Sequence, residues 1–261
     1  MKIADWWPED LEMMRLRLLA SYERPESERK GNDKMVKEVT IALAGNPNSG
    51  KTTVFNNLTG ARQHVGNWPG VTVERKEGSC SYQGHHIKVV DLPGVYSLTA
   101  YSPDEVIARN FIVEAKPDAV VDIVDASNLE RNLYLAVQIL EMGAPLIIAL
   151  NMMDEAESRR YRIDVSALAQ EIGAPVVPMV ANRNRGTDEL LKEIIKAAER
   201  TTLVDSLRIK YGQEVENEIA KLEKLISQSS LAMNYPPRWL AVKLLEGDEE
   251  IISKFKEVKV G

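Results

Sequence analysis

One stretch near the start of the chain, Gly45 to Thr52, limits the possible folds more than any other. It reads Gly-Asn-Pro-Asn-Ser-Gly-Lys-Thr, so that four residues separate two glycines and Lys-Thr follows directly. The apolar run Val39–Ala44 precedes it, and Lys51–Leu58 has the pattern of a helix. Glycines between a strand and a helix let backbone N–H groups converge on phosphate oxygens, and the helix dipole favours that negative charge. This stretch, named here the phosphate loop, predicts a nucleoside triphosphate site in an α/β domain.

Short apolar runs alternate with amphipathic stretches after the phosphate loop. Such alternation is typical of a mostly parallel sheet with helices on both faces. We predict six strands, at Val39–Ala44, Val71–Val73, Ile87–Val90, Ala119–Val124, Leu146–Leu150 and Val176–Val180. Helices are predicted at Lys51–Leu58, Leu129–Met142 and Asp188–Ala198.

The two ends of the chain have a different pattern from the middle. Residues 1–34 read as a helical appendage and a polar linker, residues 35–202 as the α/β domain, and residues 203–261 as a small all-α domain. Trp6 and Trp7 in the appendage admit two interpretations, an anchor on a partner or membrane surface, or packing on the protein itself. The predicted C-terminal helices are Gln213–Ile226, Pro237–Leu245 and Glu249–Val258.

The composition narrows the classes of partner. The formal net charge is −6 and the pI is about 5.3, which disfavours a strong electrostatic interaction with nucleic acid. Cys80 is the single cysteine, so an internal disulfide is impossible, as suits a reducing cytoplasm. No run approaches the roughly 18 apolar residues that span a bilayer, and the chain as given is expected to be soluble.

Several residues have the types and positions that triphosphate chemistry requires. Lys51 is expected to reach the β- and γ-phosphates, and the Thr52 hydroxyl to bind Mg²⁺. Asp91-Leu92-Pro93-Gly94 follows a predicted strand, so Asp91 is placed to hold Mg²⁺ through water and Gly94 to donate its N–H to the γ-phosphate. A plain Asp-x-Pro-Gly turn is the alternative, and it would be preferred without the phosphate loop upstream.

A second group of residues points to the base. Asn151-Met152-Met153-Asp154 follows the strand Leu146–Leu150, and a carboxylate there can accept hydrogen bonds from guanine N1–H and N2–H₂. Adenine lacks that donor pair and would leave the carboxylate unpaired, so discrimination is expected to be large. Asn151 is expected to orient the purine and to tie its loop to the phosphate loop. Val180-Ala181-Asn182 is expected to offer a backbone N–H to guanine O6.

A third element is the loop Gly66–Thr72, which is rich in glycine and proline. Thr72 is predicted to complete the Mg²⁺ coordination when the γ-phosphate is bound, and the loop to order and disorder with that phosphate. An ordinary surface hydroxyl is the alternative interpretation of Thr72.

The longer sequence context resembles one family closely. The runs that carry the resemblance are Gly45–Thr53 with Phe55-Asn56, Val65–Glu74, Asp91–Leu98, Leu129–Tyr134 and Arg238–Leu245. They are similar to the G domain and second cytosolic domain of ferrous iron transport protein B (FeoB). The resemblance covers roughly Val36 to the C-terminus and implies a Ras-like P-loop GTPase fold, followed by a helical domain that tunes the hold on GDP.

The resemblance also implies the biological setting. Family members carry a transmembrane Fe(II) permease after these domains, so this chain is expected to act at the cytoplasmic face of the inner membrane. The implied ligands are GTP or GDP, Mg²⁺ and K⁺. The implied partners are the guanine nucleotide, the permease part of the same protein and small accessory transport proteins, with an oligomer also compatible and no nucleic acid expected.

Two residues bear on the mechanism that the family implies. Val95 stands where many Ras-like GTPases have glutamine, and because valine cannot orient water, intrinsic hydrolysis is expected to be slow. Asn48 matches the asparagine that helps to coordinate K⁺ in potassium-activated GTPases, where the cation stands in for an arginine finger. Carbonyl groups of Gly66–Gly70 are further candidate ligands. The alternative is that Asn48 only shapes the loop.

The sequence thus predicts a slow GTPase, with catalytic residues Lys51, Asn48, Thr72 and Gly94. The absence of the usual serine near Ala181 predicts a loose base pocket and fast exchange. A free-standing GTPase acting on RNA or the ribosome, and a nucleotide-gated binding switch with negligible turnover, are the alternatives. The predicted nucleotide site comprises Gly45, Asn46, Pro47, Asn48, Ser49, Gly50, Lys51, Thr52, Thr53, Gly70, Val71, Thr72, Asp91, Gly94, Asn151, Met152, Asp154, Val180, Ala181 and Asn182.

Overall fold

A computed structural model of the chain describes residues 37–60, 62–99, 101–199 and 210–257. The predicted N-terminal appendage, with Trp6 and Trp7, lies outside these residues. So does the predicted boundary between residues 202 and 203. In the described part, no helix has the length and apolar character needed to cross a membrane.

One seven-stranded sheet forms the centre of the α/β part, with the strand order β2-β3-β4-β1-β5-β6-β7. The strands from β4 to β7 in this order are parallel, whereas β3 runs antiparallel to β4 and β2 antiparallel to β3. The mostly parallel sheet with helices on both faces is therefore confirmed. The strands are β1 (Lys37–Gly45), β2 (Gln63–Asn67), β3 (Glu74–Tyr82), β4 (His85–Asp91), β5 (Ala119–Asp125), β6 (Leu146–Asn151) and β7 (Val176–Pro178).

One predicted strand, Val71–Val73, and the predicted number of strands were wrong. The sheet has seven strands instead of six, because β2 and β3 form where the sequence predicted one strand, and Gly66 and Asn67 belong to β2 and not to a loop. All five residues of β2 are exposed, so no apolar alternation marked it. The predicted strand at Val71–Val73 does not form, because a turn beginning at Trp68 occupies these residues and β3 starts at Glu74. Residues 68–73 are named here the Thr72 loop.

The helices lie where their apolar periodicity placed them, with three additions. The three predicted helices of the α/β part and the three of the C-terminal part are confirmed within one or two residues. The helices α2, α4 and α5 were not predicted. The set is α1 (Lys51–Thr59), α2 (Pro103–Asn110), α3 (Leu129–Glu141), α4 (Met153–Ser158), α5 (Val165–Ile172), α6 (Thr187–Glu199), α7 (Gln213–Ile226), α8 (Pro237–Glu246) and α9 (Glu249–Glu257).

The sheet buries both of its faces. Along β1, Ile41 and Leu43 enter the core beneath α1 and α6, whereas Ala42 and Ala44 enter the core beneath α2 and α3. This alternation of buried side chains explains why β1 reads as a continuous apolar run. The core beneath α2 and α3 continues into α8 through Trp239. The helices α7 to α9, named here the helical segment, therefore pack on the same face of the sheet as α2.

Candidate functional site

The phosphate loop connects β1 to α1 through a tight turn. The Ser49 N–H donates to Asn46 O at 3.1 Å, which leaves Pro47 and Asn48 as the two central residues. Asn48 has a φ of 67°, and proline followed by a residue of positive φ is the pattern of a type II turn. No side chain caps α1, and its first turn carries no acidic residue. Its first N–H groups therefore remain available to an anion.

Asn151 joins three loops at the end of the sheet. Its Nδ2 donates to Ser49 O at 2.9 Å, and its Oδ1 accepts from the Ala181 N–H at 2.9 Å. The Asn57 side chain donates to Ala181 O at 2.8 Å, which adds α1 to the same network. Asn151 is 3% exposed, so these bonds are shielded from water. The predicted link between the motif Asn151–Asp154, named here the base motif, and the phosphate loop is present.

Gly50 shows how closely these loops approach one another. Its φ is 90°, and a Cβ at this position would lie 2.2 Å from Asn151 Nδ2. A side chain at residue 50 would therefore be strained by its backbone conformation and would also displace the Asn151 amide. The second glycine of the phosphate loop is thus required by the packing of two loops as well as by phosphate access.

Lys51, in the phosphate loop, lies against Asp91 at the end of β4. The Lys51 ammonium forms an ion pair with the Asp91 carboxylate and donates to Leu92 O at 2.7 Å. Asp91 ends β4, whose register places it beside Leu43 of β1. The Asp91–Gly94 loop also contacts the phosphate loop, because a Cβ on Gly94 would lie 3.6 Å from Pro47 Cα. The predicted phosphate and metal ligands of these two loops are therefore adjacent.

Val95, which follows Gly94, points inward. Its side chain is 5% exposed, and its N–H donates to Gly45 O at 3.3 Å. The side chain belongs to the core beneath α2 and α3. It is therefore both apolar and packed, so it can neither bind nor orient a water molecule in the site. This geometry agrees with the expectation from the sequence that Val95 cannot replace a glutamine.

The base motif continues into the first turn of α4. Met152 has a φ of 60° and is half-buried beside Gly50, while Asp154 lies in the first turn of the helix. The Asp154 carboxylate accepts from the Glu155 N–H at 3.1 Å, and its other oxygen is 3.7 Å from Arg183 Nη2. Arg183 ends the turn Ala181–Arg183, and it was missed because an exposed arginine in a loop has no distinguishing pattern.

The Thr72 loop reaches the same edge of the sheet by a different route. Lys76 of β3 pairs with Asp91, so the residues before β3 continue past the end of β4. Gly70, Val71 and Thr72 are exposed there. The loop begins with a turn in which the Val71 N–H donates to Trp68 O at 3.3 Å and Gly70 has a φ of 77°. Among the described residues, no hydrogen bond joins Thr72 to the phosphate loop.

Several buried polar atoms near the site have no protein partner. Both polar atoms of the Asn46 side chain and the Ser49 hydroxyl are buried without a hydrogen bond among the described residues. On β5, beside Ala44, Asp122 is fully buried, and this burial raises the pKa of its carboxyl to about 8. Burial also raises the pKa of the Cys80 thiol on β3, which argues against a reactive thiolate there.

Comparison with known proteins identifies the family. The family model described as "Ferrous iron transport protein B" matches residues 39–194, which is more than half of the chain. The chain belongs to the FeoB family. A second model, described as "FeoB cytosolic helical domain", matches residues 211–260. The two FeoB matches correspond to the sheet domain and to the helical segment.

Curated FeoB relatives extend well beyond this chain. The Fe(2+) transporter FeoB of Escherichia coli strain K12 is 50% identical over 219 residues, which is 82% of this chain and 27% of the relative. A fusion of Fe(2+) transport protein A with FeoB from Porphyromonas gingivalis is 47% identical over 216 residues, or 82% of this chain and 26% of the relative. The chain thus spans about a quarter of the length of the curated relatives it matches.

Solved structures of FeoB cytosolic domains share the fold. That of T. maritima in a GDP form has a TM-score of 0.81 and 41% identity, covering 86% of this chain and 87% of that one. Its GMPPNP form has a TM-score of 0.80 at 41% identity, with coverage of 85% and 87%. The domain from L. pneumophila has a TM-score of 0.74 at 39% identity, with coverage of 82% and 84%.

Proposed function

We propose that this chain binds GTP with Mg²⁺, hydrolyses it slowly with the help of K⁺, and regulates an attached Fe(II) permease. The observation that carries the proposal is the pair of hydrogen bonds made by the Asn151 side chain. It donates to Ser49 O of the phosphate loop and accepts from the Ala181 N–H in the loop Val180–Asn182. A phosphate cradle and a base-recognition loop are thereby fixed at one edge of the sheet. The GDP and GMPPNP forms of the T. maritima relative support the assignment of the ligand.

Phosphate binding is assigned to the phosphate loop and α1. The uncapped first turn of α1 offers N–H groups, and Lys51 supplies a positive charge at the same place. When phosphates are present, we expect the Lys51 ammonium to exchange its contact with Asp91 for the β- and γ-phosphate oxygens. Thr53, in the same turn of α1, lies within reach of the phosphates through its backbone N–H.

Magnesium is assigned to Thr52, Thr72 and Asp91. Two hydroxyls and a carboxylate are hard oxygen donors of the kind that Mg²⁺ prefers. Thr52 follows Lys51 in the first turn of α1, and Asp91 lies beside Lys51. The register of β3 brings the Thr72 loop to the same edge. The residues therefore fit the ion, with Asp91 acting through water. When bound, Mg²⁺ would neutralise charge that accumulates on the phosphates during hydrolysis.

Guanine selection is assigned to Asp154, assisted by Asn151 and the loop Val180–Asn182. The Asp154 carboxylate is half-buried at the start of α4, where it can accept from both N1–H and N2–H₂ of the base. Val180 and Ala181 are buried, so the N–H groups of this loop are held in place by packing and by Asn151. No serine assists the loop, which supports fast exchange of nucleotide.

Hydrolysis is assigned to Lys51, Asn48 and the backbone N–H of Gly94, with Thr72 completing the site. In the reaction, water attacks the γ-phosphate in line with the leaving GDP. Asn48 is exposed on the phosphate loop, where its amide oxygen can serve as a K⁺ ligand. Because Val95 is buried, a second candidate remains, a switch driven by nucleotide occupancy with negligible turnover.

The cellular setting follows from the relatives. The E. coli relative is named a Fe(2+) transporter, and the present chain matches about a quarter of it. We infer that the chain acts at the cytoplasmic face of the membrane and passes its state to the permease part of the same protein. Small accessory transport proteins are further partners in this proposal, and the fusion relative of P. gingivalis supports that class.

Single-turnover hydrolysis of GTP in KCl and in NaCl at equal ionic strength tests the mechanism. The variant Asn48→Gly is the informative one, because glycine keeps the positive φ of residue 48 while it removes the amide. We expect potassium to accelerate hydrolysis about tenfold or more in the parent chain and to have little effect in Asn48→Gly.

The variant Asn48→Ala controls for the turn, because alanine adopts a positive φ at a cost of about 1–2 kcal/mol. Potassium stimulation that survives in Asn48→Gly but is lost in Asn48→Ala would show that Asn48 only shapes the loop. Hydrolysis far slower than nucleotide release in both salts would favour the binding-driven switch.

A further inference from the structure

Residues 69–72 of the Thr72 loop are exposed, whereas Val73 is half-buried and Trp68 is buried. Trp68 is only 6% exposed, although it opens a turn that continues with Pro69 and Gly70. Its ring meets Phe111 edge to face, with centroids 5.6 Å apart and an interplanar angle of 73°. The guanidinium of Arg75, a residue of β3, lies 4.8 Å from the centroid of the Trp68 ring. Aromatic and cation–π contacts of this geometry fix the ring, so Trp68 anchors the exposed residues 69–72 that follow it.

Phe111 connects this anchor to the helical segment. It begins a π-helical turn, Phe111–Ala115, that continues directly from α2. Two residues earlier, Arg109 is 1% exposed and forms ion pairs with Asp248, at 2.8 Å, and with Glu250. Glu250 lies in α9, and Asp248 lies between α8 and α9 in the helical segment. A π-helical turn such as Phe111–Ala115 is frequent at functional sites. The same end of α2 therefore holds the Thr72 loop on one side and the helical segment on the other.

The hydrogen-bonding state of Trp68 also sets it apart from an ordinary core residue. Its indole Nε1 is buried without a protein partner among the described residues. A buried N–H without an acceptor costs free energy, so the side chain is not optimised for stability alone. The ring is therefore held by its contacts with Phe111 and Arg75 and not by a hydrogen bond.

We propose that Trp68 is a positioning residue that places Thr72 on the triphosphate and couples this placement to the helical segment through Phe111 and Arg109. The inference rests on the proposed function, since it needs a γ-phosphate for Thr72 to meet. With the ring seated on Phe111, the loop is held four residues before Thr72, which reduces the entropy lost when the loop closes on the nucleotide. Because GDP lacks the γ-phosphate, the anchor favours the triphosphate state selectively.

The test is the affinity of the chain for fluorescent GMPPNP and for fluorescent GDP, both with Mg²⁺. Trp68→Ala is expected to raise the Kd for GMPPNP about tenfold and the Kd for GDP less than about threefold, whereas Trp68→Phe retains most of the preference. Val65→Ala is the control, because Val65 lies on β2, three residues before Trp68, and is 55% exposed. Phe111→Leu shrinks the other partner of the contact and is expected to act in the same direction as Trp68→Ala.

Equal rises of both Kd values in Trp68→Ala and Phe111→Leu would show that the contact serves structure only, and would overturn the proposal. A parent chain that binds neither nucleotide would instead refute the proposed function itself. The two failures are distinguishable because the first requires a parent chain with measurable affinity. Thermal unfolding of each variant, followed by circular dichroism, identifies any variant that does not fold. If Trp68→Ala does not fold, the Kd values of Trp68→Phe for the two nucleotides decide between the outcomes.

The coupling to the helical segment is tested with Glu250→Gln, a change at a side chain that is 32% exposed. We expect this variant to raise the Kd for GMPPNP about threefold, because Arg109 loses one of its two ion pairs and the end of α2 is held less firmly. The double variant Trp68→Ala with Glu250→Gln should then match Trp68→Ala alone within about twofold. Independent effects that multiply in the double variant would overturn the coupling.

Discussion

The Asn151 side chain spans two loops, donating to Ser49 O and accepting from the Ala181 N–H, each at 2.9 Å. Replacing it with alanine leaves a buried carbonyl and a buried N–H without partners. We expect Asn151→Ala to lower the free energy of unfolding by about 1–3 kcal/mol and to weaken GDP binding about tenfold or more. Urea denaturation and nucleotide titration measure the two effects. Asn217→Ala on the exposed face of α7 is the control, and equal effects in both variants would contradict the assignment.

Gly50 and Gly84 offer a matched pair of glycines with positive φ. Their φ values are 90° and 82°, but a Cβ on Gly50 would meet Asn151 Nδ2 at 2.2 Å, whereas a Cβ on Gly84 would meet open space. Gly84→Ala is expected to cost about 1–2 kcal/mol of backbone strain alone. Gly50→Ala is expected to cost more and to abolish nucleotide binding. If thermal unfolding and binding were affected equally in the two variants, the proposed contact between Gly50 and Asn151 would be unimportant.

The buried Asp122 carboxyl predicts a dependence of stability on pH. Burial raises its folded pKa to about 8, whereas an unfolded aspartate titrates near 3.9. Between these values the folded state binds more protons, so the free energy of unfolding falls as pH rises from about 4 to 8 and levels off above that. We expect Asp122→Asn to remove a slope of about 1.4 kcal/mol per pH unit between pH 5 and 7. Parallel pH profiles of urea denaturation in the two proteins would contradict this.

Arg109 and Arg159 form a second matched pair. Arg109 is 1% exposed between Asp248 and Glu250, whereas Arg159 is 51% exposed and lies 3.9 Å from Glu155. Removal of the buried Arg109 charge leaves the buried Asp248 carboxylate without its ion pair, and we expect Arg109→Met to cost about 3–5 kcal/mol of stability. Arg159→Met should cost less than about 1 kcal/mol, because water already solvates its ion pair. If chemical denaturation gave similar losses of unfolding free energy for both variants, the Arg109 ion pairs would contribute little to stability.

Most of the parallel sheet could be predicted from the sequence, and the physical reason is burial. The strands β5 and β6 are covered on both faces, so their residues are almost all apolar, and the loops after β1, β4 and β6 carry motifs with a fixed spacing. The strand β2 could not be predicted, because all of its residues are exposed and its pairing is set by the edge of β3. Propensity alone does not specify such an edge strand.

The proposed ligand residues could be named from the sequence, whereas most contacts that hold their loops could not. Asn151, Asp154 and Lys51 could be assigned because chemistry demands those types after those strands. Trp68 and Arg109 could not, because an aromatic residue in a turn and an arginine on a helix become informative only when their partners at Phe111 and Asp248 are known. Contacts between residues distant in sequence carry no local signal.

Selectivity between guanine and adenine tests whether this chain binds guanine nucleotides through Asp154. We would measure competition by GDP, ADP and xanthosine diphosphate for the bound fluorescent nucleotide, with the parent chain and with Asp154→Asn. We expect the parent chain to prefer GDP over ADP at least about a thousandfold. We also expect Asp154→Asn to favour xanthosine diphosphate over GDP, because xanthine carries an oxygen where guanine has N2–H₂. Equal competition by GDP and ADP, or unchanged selectivity in Asp154→Asn, would contradict this assignment.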